Sequence, residues 1–184
     1  MYPITFITSN PNKLLEVTAI LPTTIHFTHR ALDIPEIQGS LEEIAIAKCR
    51  RAAEIVQGPV LVEDSALEFR AMKGLPGPYV KYFFEALGND GLNKLLDGFD
   101  DRTAEAVCTF AYSPGPSVEP RVFQGRIEGV IVSPRGPPVF GWEPIFEYQG
   151  ATLAEMDHEI KNGLSHRYKA LVKFQEWLSS TQLR

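Results

Sequence analysis

Apolar positions along the chain alternate between two rhythms, and the switches between them predict the elements. Short apolar runs at Ile4 to Thr8, at Ile25 to His29 and at Val60 to Val62 read as strands. Between the first two, Leu14, Val17 and Leu21 keep one face of a helix that opens after the turn Ser9-Asn10-Pro11-Asn12 and ends near Pro22. Ser40-Leu41-Glu42-Glu43 is a capping box. The helix it opens carries Ala45, Cys49, Ala52 and Val56 at helical spacing, and Gly58-Pro59 stops it. Further on, Tyr79 to Leu87 and Gly91 to Leu96 predict two short helices. Glu105 to Tyr112 and Val118 to Val132 predict two long strands joined by a Ser-Pro-Gly-Pro turn, the second marked by Gly125 and Gly129 as bent or bulged. The last helix runs from about Ser165 to Ser179 with Leu171, Phe174 and Leu178 inward. This order gives an α/β fold with a mixed sheet, in a single domain spanning residues 1–184.

The most informative stretch is Pro59 to Lys81. The apolar run predicts a strand that ends in Glu63 and Asp64, followed by Ser65, and a Gly-Leu-Pro-Gly-Pro loop leads into the helix carrying Lys81. Buried acids are costly unless paired or holding a cation, and the strand ends of α/β sheets are where ligands collect. Glu36, in the loop between Asp33 and Gly39, is a second candidate acid. Two carboxylates plus waters and substrate phosphates suit Mg²⁺.

Three further clusters carry candidate chemistry. Thr8, Ser9, Asn10, Pro11, Asn12 and Lys13 form a strand-to-helix turn. It reads either as an N-cap beside a solvated lysine or as an anion site made of backbone N–H groups and one charge. No GxxxxGK[ST] occurs, which excludes a P-loop. Phe140, Gly141, Trp142, Glu143 and Pro144 follow a Pro-rich stretch; the aromatics either cover the core or stack on a planar base. Lys161, Ser165, His166 and Arg167 lie at the start of the last helix, where cations oppose the helix dipole. A basic turn balanced by acids and a site for a polar ligand edge both remain open.

Composition narrows the function classes. The net charge of −5 argues against non-specific nucleic-acid binding. No apolar run approaches the roughly 20 residues of a membrane span, and the start of the chain lacks the pattern of a secretion signal. Two cysteines far apart and four histidines without HExxH spacing predict neither a disulfide framework nor a zinc site. A cytoplasmic protein is the expectation.

Six segments, TSNPNK, EDSALEF, KGLPGPYVKYF, FGWEPIF, AEM and KNGLSHRYKAL, occur in an order that resembles the inosine triphosphate pyrophosphatase (Ham1-like) family in its eukaryotic form. The resemblance covers nearly the whole chain. It implies an elongated α/β fold with two lobes around a cleft, a homodimer, and hydrolysis of deaminated purine nucleoside triphosphates (ITP, dITP, XTP) to monophosphate and pyrophosphate. Mg²⁺ is the implied cofactor, with Mn²⁺ as a substitute. By the same resemblance, Thr8 to Lys13 form the phosphate turn, and Glu36 and Asp64 bind the metal, Asp64 also orienting or deprotonating the attacking water. Ser65 contacts the nucleotide, and Lys48 and Lys81 reach the phosphates. Phe140 stacks on the base with Trp142 in support, and Lys161, His166 and Arg167 surround the purine. Glu143 departs from the family, which usually carries Asp there; the extra methylene keeps the charge and moves the carboxylate. Two other readings compete: a pyrophosphatase for a modified pyrimidine triphosphate, and a nucleotide sensor without turnover.

Overall fold

A computed structural model describes residues 3–182. The chain begins with β1 (Ile4–Ile7), α1 (Pro11–Ile20), β2 (Phe27–Arg30), α2 (Leu41–Val56) and β3 (Val60–Phe69). β1 pairs in parallel with both other strands, Ile4 opposite Phe27 and Ile7 opposite Val62. The second strand starts two residues later than its apolar run suggests, because the Ile25 N–H is taken up in a turn on the Pro22 carbonyl. Then come β4 (Pro76–Gly77), α3 (Val80–Lys94), β5 (Thr103–Ser113), β6 (Arg121–Ile131), β7 (Phe146–Tyr148) and β8 (Ala151–Thr152). The described chain closes with α4 (His158–Asn162) and α5 (His166–Gln182). The sheet order is β2-β1-β3-β5-β6-β7-β8, with β4 on β3, and parallel and antiparallel pairs both occur, so the sheet is mixed as expected.

The chain gathers into two compact units. The first takes residues 1–64, 108–125 and 167–184; the second takes 65–107 and 126–166. Side-chain alternation builds the first unit's two cores. Phe6, Leu61, Cys108 and Phe110 face one way and meet Val17 of α1 and Ala170, Leu171, Phe174 and Leu178 of α5. Ile7, Val60, Val62 and Ala111 face the other way and meet Ala45, Cys49, Ala52 and Ala53 of α2, with Ile34 closing the edge. The second unit packs Leu67 and Phe69 of β3, Val80, Leu92 and Leu96 around α3, and Trp142, Ile145 and Phe146.

Local chemistry accounts for most element boundaries. Both arms of the capping box form at α2: Ser40 Oγ accepts from the Glu43 N–H at 3.3 Å, and Glu43 Oε2 accepts from the Ser40 N–H at 2.8 Å. These bonds from Ser40 hold the Glu43 carboxyl below its usual pKa. A depressed acid contributes stability above its unfolded pKa and loses it as pH falls through the folded one. Glu43→Gln therefore lowers the unfolding midpoint at neutral pH, and the gap to wild type closes on acidification; urea melts at several pH values check this. The two expected helices after Tyr79 are separated by Gly88, whose φ of 66° no helix interior accommodates. Gly129 also lies under a close approach: a Cβ there would be 2.3 Å from the Glu147 carbonyl oxygen and 2.6 Å from the Phe146 ring.

β3 corrects the sequence reading. The strand does not end at Glu63 and Asp64; both lie inside a ten-residue strand whose later part pairs Leu67 with Gly77 of β4. What ends there is the parallel partner, since β1 stops at Ile7 opposite Val62. The edge of β3 beyond Val62 is thus released from β1 while its backbone stays extended. Alternation also sends the two acids to opposite faces, so they do not act as a pair.

Candidate active site

The turn after β1 is organised by Asn10. Its Oδ1 caps α1 by accepting from the N–H groups of Asn12, at 2.9 Å, and Lys13, at 3.2 Å. Thr8 Oγ1 accepts from the Asn10 N–H at 3.1 Å, and Pro11 opens the helix without a donor. The expected set of free amides is therefore already partly used by the cap. What the turn offers an anion is the helix dipole, the exposed Ser9 and the charge of Lys13.

Lys13 turns inward. Its Nζ lies 3.0 Å from Glu63 Oε2. Glu63 follows Leu61 on the α1/α5 face, where Arg167 Nη2 approaches its Oε1 at 3.3 Å. Arg167 Nη1 donates to Glu16, one helical turn after Lys13. The Arg167 side chain is 1% exposed. Burial works against its charge, but Glu63 and Glu16 outweigh burial and raise its pKa. Cys108 Sγ donates to Glu63 Oε1 at 3.3 Å, and burial, reinforced by that carboxylate, pushes the thiol well above its ordinary pKa. Glu16 and the pairing role of Glu63 were not read from the sequence. The available signal was that Lys13, Glu16 and Val17 share one helix face, which placed an acid on the inward side.

Asp64 emerges on the α2 face. Lys48 Nζ bridges it to Glu36, donating to Asp64 Oδ1 and, at 2.9 Å, to Glu36 Oε1. Burial raises the Asp64 pKa, against the opposing pull of Lys48 and Lys13. Burial also disfavours the Lys48 charge, yet Asp64 and Glu36 together raise its pKa. Asp64 Oδ2 is buried with no hydrogen-bond partner among the described residues. Across both faces of this unit, the four carboxylates Glu16, Glu36, Glu63 and Asp64 meet the three basic groups Lys13, Lys48 and Arg167. Glu36 lies on the loop before α2, and Asp64 lies within β3 rather than at its end.

The second unit gathers the aromatic and basic candidates. Lys161 Nζ, in α4, lies 2.8 Å from each Glu143 oxygen and 5.5 Å above the Phe140 ring. Glu143 and Lys161 are both buried, whereas Phe140 is only half-buried. Trp142 is 5.6 Å from the His166 ring and edge-on to Phe146 at 5.8 Å. Gly141 takes a left-handed φ of 53°, and its carbonyl accepts from Asn89 Nδ2 at 3.2 Å. Asn89 was not singled out from the sequence; its position just after the Gly88 break aims it at this loop. Ser165 is buried beside His166, and Ser65 is half-buried on β3. Lys81, in the first turn of α3, is exposed and joins neither cluster through an ion pair among the described residues.

The mixed α/β sheet thus carries carboxylates and lysines in one unit and, in the other, a half-buried aromatic ring beside a buried Lys–Glu pair. Residues 4–177 match the Ham1 family, and the chain belongs to that family. It is 66% identical to an inosine triphosphate pyrophosphatase of Emericella nidulans over 97% of both chains. It is 64% identical to one of Ajellomyces capsulatus, over 98% of this chain and 99% of that one. Among solved structures, a HAM1 protein from Coxiella burnetii superposes with a TM-score of 0.87 at 29% identity, covering 98% of this chain and all of that one.

Proposed function

We propose that the protein hydrolyses deaminated purine nucleoside triphosphates, ITP, dITP and XTP, to the monophosphate and pyrophosphate. The first unit carries the residues proposed for the polyphosphate and a divalent cation, and the second carries those proposed for the base. The observation that carries this reading is the Glu36–Lys48–Asp64 cluster, in which a buried carboxylate oxygen of Asp64 has no hydrogen-bond partner among the described residues. The names of the two fungal relatives support the substrate class.

The donor set fits a small hard cation. Among the described residues no three His, Cys, Asp or Glu side chains gather into a protein cage. Two carboxylates suit Mg²⁺, which keeps waters and substrate phosphates in its shell, and Mn²⁺ would substitute. When bound, such a cation neutralises charge on the phosphate oxygens and lowers the pKa of water.

The chain's own residues supply the rest. Lys13, Lys48 and Lys81 offer positive charge to the phosphates, and Ser9 and Ser65 offer hydroxyls. Asp64 Oδ2 accepts a hydrogen bond, and then the proton, from a water directed at the α-phosphorus. Pyrophosphate is the leaving group. Phe140 stacks on the purine with Trp142 behind it. Lys161 and His166 set the polar environment of the base, with Glu143 fixing Lys161; the expected place of Arg167 beside the purine is not kept, because its guanidinium is buried against Glu16 and Glu63 of the first unit. A base carrying O6 pairs with donors that adenine's amine leaves unmatched, and unmatched buried donors are penalised strongly.

Incubation with Mg²⁺ and ITP, XTP, ATP or a pyrimidine triphosphate, with pyrophosphate measured, tests the assignment. ITP should exceed ATP in kcat/KM by on the order of 10³-fold. Comparable turnover of the pyrimidine triphosphate would move the substrate class, and tight ITP binding without pyrophosphate would make the protein a sensor. We also propose a homodimer, on family resemblance, and a cytoplasmic location, supported by two buried free thiols. No helix among the described residues is long and apolar enough to cross a membrane.

A further inference from the structure

We infer that Lys48 is a resident counter-ion of the Glu36–Asp64 carboxylate pair, displaced only when metal and polyphosphate arrive together. The inference rests on the proposed roles of Glu36 and Asp64. Lys48 Nζ stands between those two carboxylates, 2.9 Å from Glu36 Oε1 and bonded to Asp64 Oδ1, so it occupies the place a shared cation would take. Its side chain and that of Asp64 are each only 16% exposed. A divalent ion entering alone would have to expel an ammonium from a largely buried position, and an unpaired charge there is costly. A polyphosphate removes that cost by offering the expelled ammonium its own oxygens.

The local construction allows the exchange. Lys48 lies on α2, whose start is fixed by the capping box, but its charge sits on a flexible four-carbon stem. Glu36 is on a loop and 37% exposed, so one side of the pair can adjust. Lys48 donates to Oδ1 of Asp64, and Oδ2 has no hydrogen-bond partner among the described residues, so the carboxylate keeps an oxygen that Lys48 does not hold. Each ligand thereby strengthens the other's binding by the same factor.

Titration of Mn²⁺ into nucleotide-free protein, followed by electron paramagnetic resonance, tests this with and without a non-hydrolysable ITP analogue bridged between the α- and β-phosphates. Wild type should bind Mn²⁺ at least about tenfold more tightly with the analogue present. Lys48→Met should bind Mn²⁺ alone at least about tenfold more tightly than wild type, with a reduced effect of the analogue. Circular dichroism checks the variant's fold. In wild type, the Lys48 ε-methylene resonance should move on adding metal and analogue together and stay in place with metal alone, a measurement that stands even if the variant fails to fold. Equal Mn²⁺ affinity of the folded variant and wild type, or a resonance shifted by metal alone, overturns the counter-ion role and leaves the proposed function intact. Absence of joint Mn²⁺ and analogue binding to wild type overturns the proposed function, and this inference with it.

Discussion

Asp64→Asn should lower kcat for ITP by roughly 10² to 10⁴-fold, the usual worth of a positioned proton acceptor, without unfolding the protein. Asn has nearly the same shape and still accepts from Lys48 through Oδ1, so the geometry around α2 survives. It loses the negative charge and the ability to take a proton. Stability should move the other way. Burial raises the Asp64 pKa, so the group's folding contribution is present below the unfolded pKa and lost as pH rises through the folded one. The Asn side chain brings no charge into this buried site, and Lys48 keeps Glu36 as its ion partner, so the Asn variant should unfold at an equal or higher midpoint wherever the wild-type carboxyl is ionised. That advantage should vanish in acid. Steady-state kinetics with urea melts at two pH values separates the effects. A variant retaining more than about a tenth of wild-type kcat would remove Asp64 from proton transfer.

The largest stability loss is expected on the other face of β3. Arg167→Met should cost about 3–5 kcal/mol in urea unfolding, the range for removing one member of a buried ion pair. Met fills much of the volume, so the loss comes chiefly from charge. Glu16 loses its guanidinium partner, and Glu63 keeps Lys13 and the Cys108 thiol. Pairing the substitution with Glu16→Gln should recover part of the loss, because a neutral amide tolerates burial better than a carboxylate that has lost its guanidinium. A loss under about 1 kcal/mol in the single variant would show that these acids do not depend on Arg167.

Features decided within a few residues were legible in the sequence. Ser40 and Glu43 announce the start of α2, Gly88 divides the segment after Tyr79, and Leu171, Phe174 and Leu178 trace the inward face of α5. Features decided by partners far along the chain were not. Glu63 and Asp64 looked like a strand's end because nothing nearby shows that Arg167 and Lys48 neutralise them. The real strand continues because its later half finds β4, a two-residue segment with no apolar pattern of its own. The turn at Thr8 to Lys13 read either as an N-cap or as a row of available donors, and Asn10 spends its side chain on two of those donors as the N-cap reading expects. The base-side candidates Phe140, Trp142, Lys161 and His166 do come together in one unit, since each is tied to a short segment of distinctive composition.

The alternation along β3 makes its phase an inherited constraint. A single residue inserted or deleted between Val60 and Asp64 would exchange the destinations of the two acids, aiming one at Lys48 and the other at Arg167 with the wrong side-chain length. Point changes in this strand can be graded, but frame changes cannot. Length variation among natural relatives should therefore be excluded from this segment and tolerated in the connection from Pro114 to Pro120.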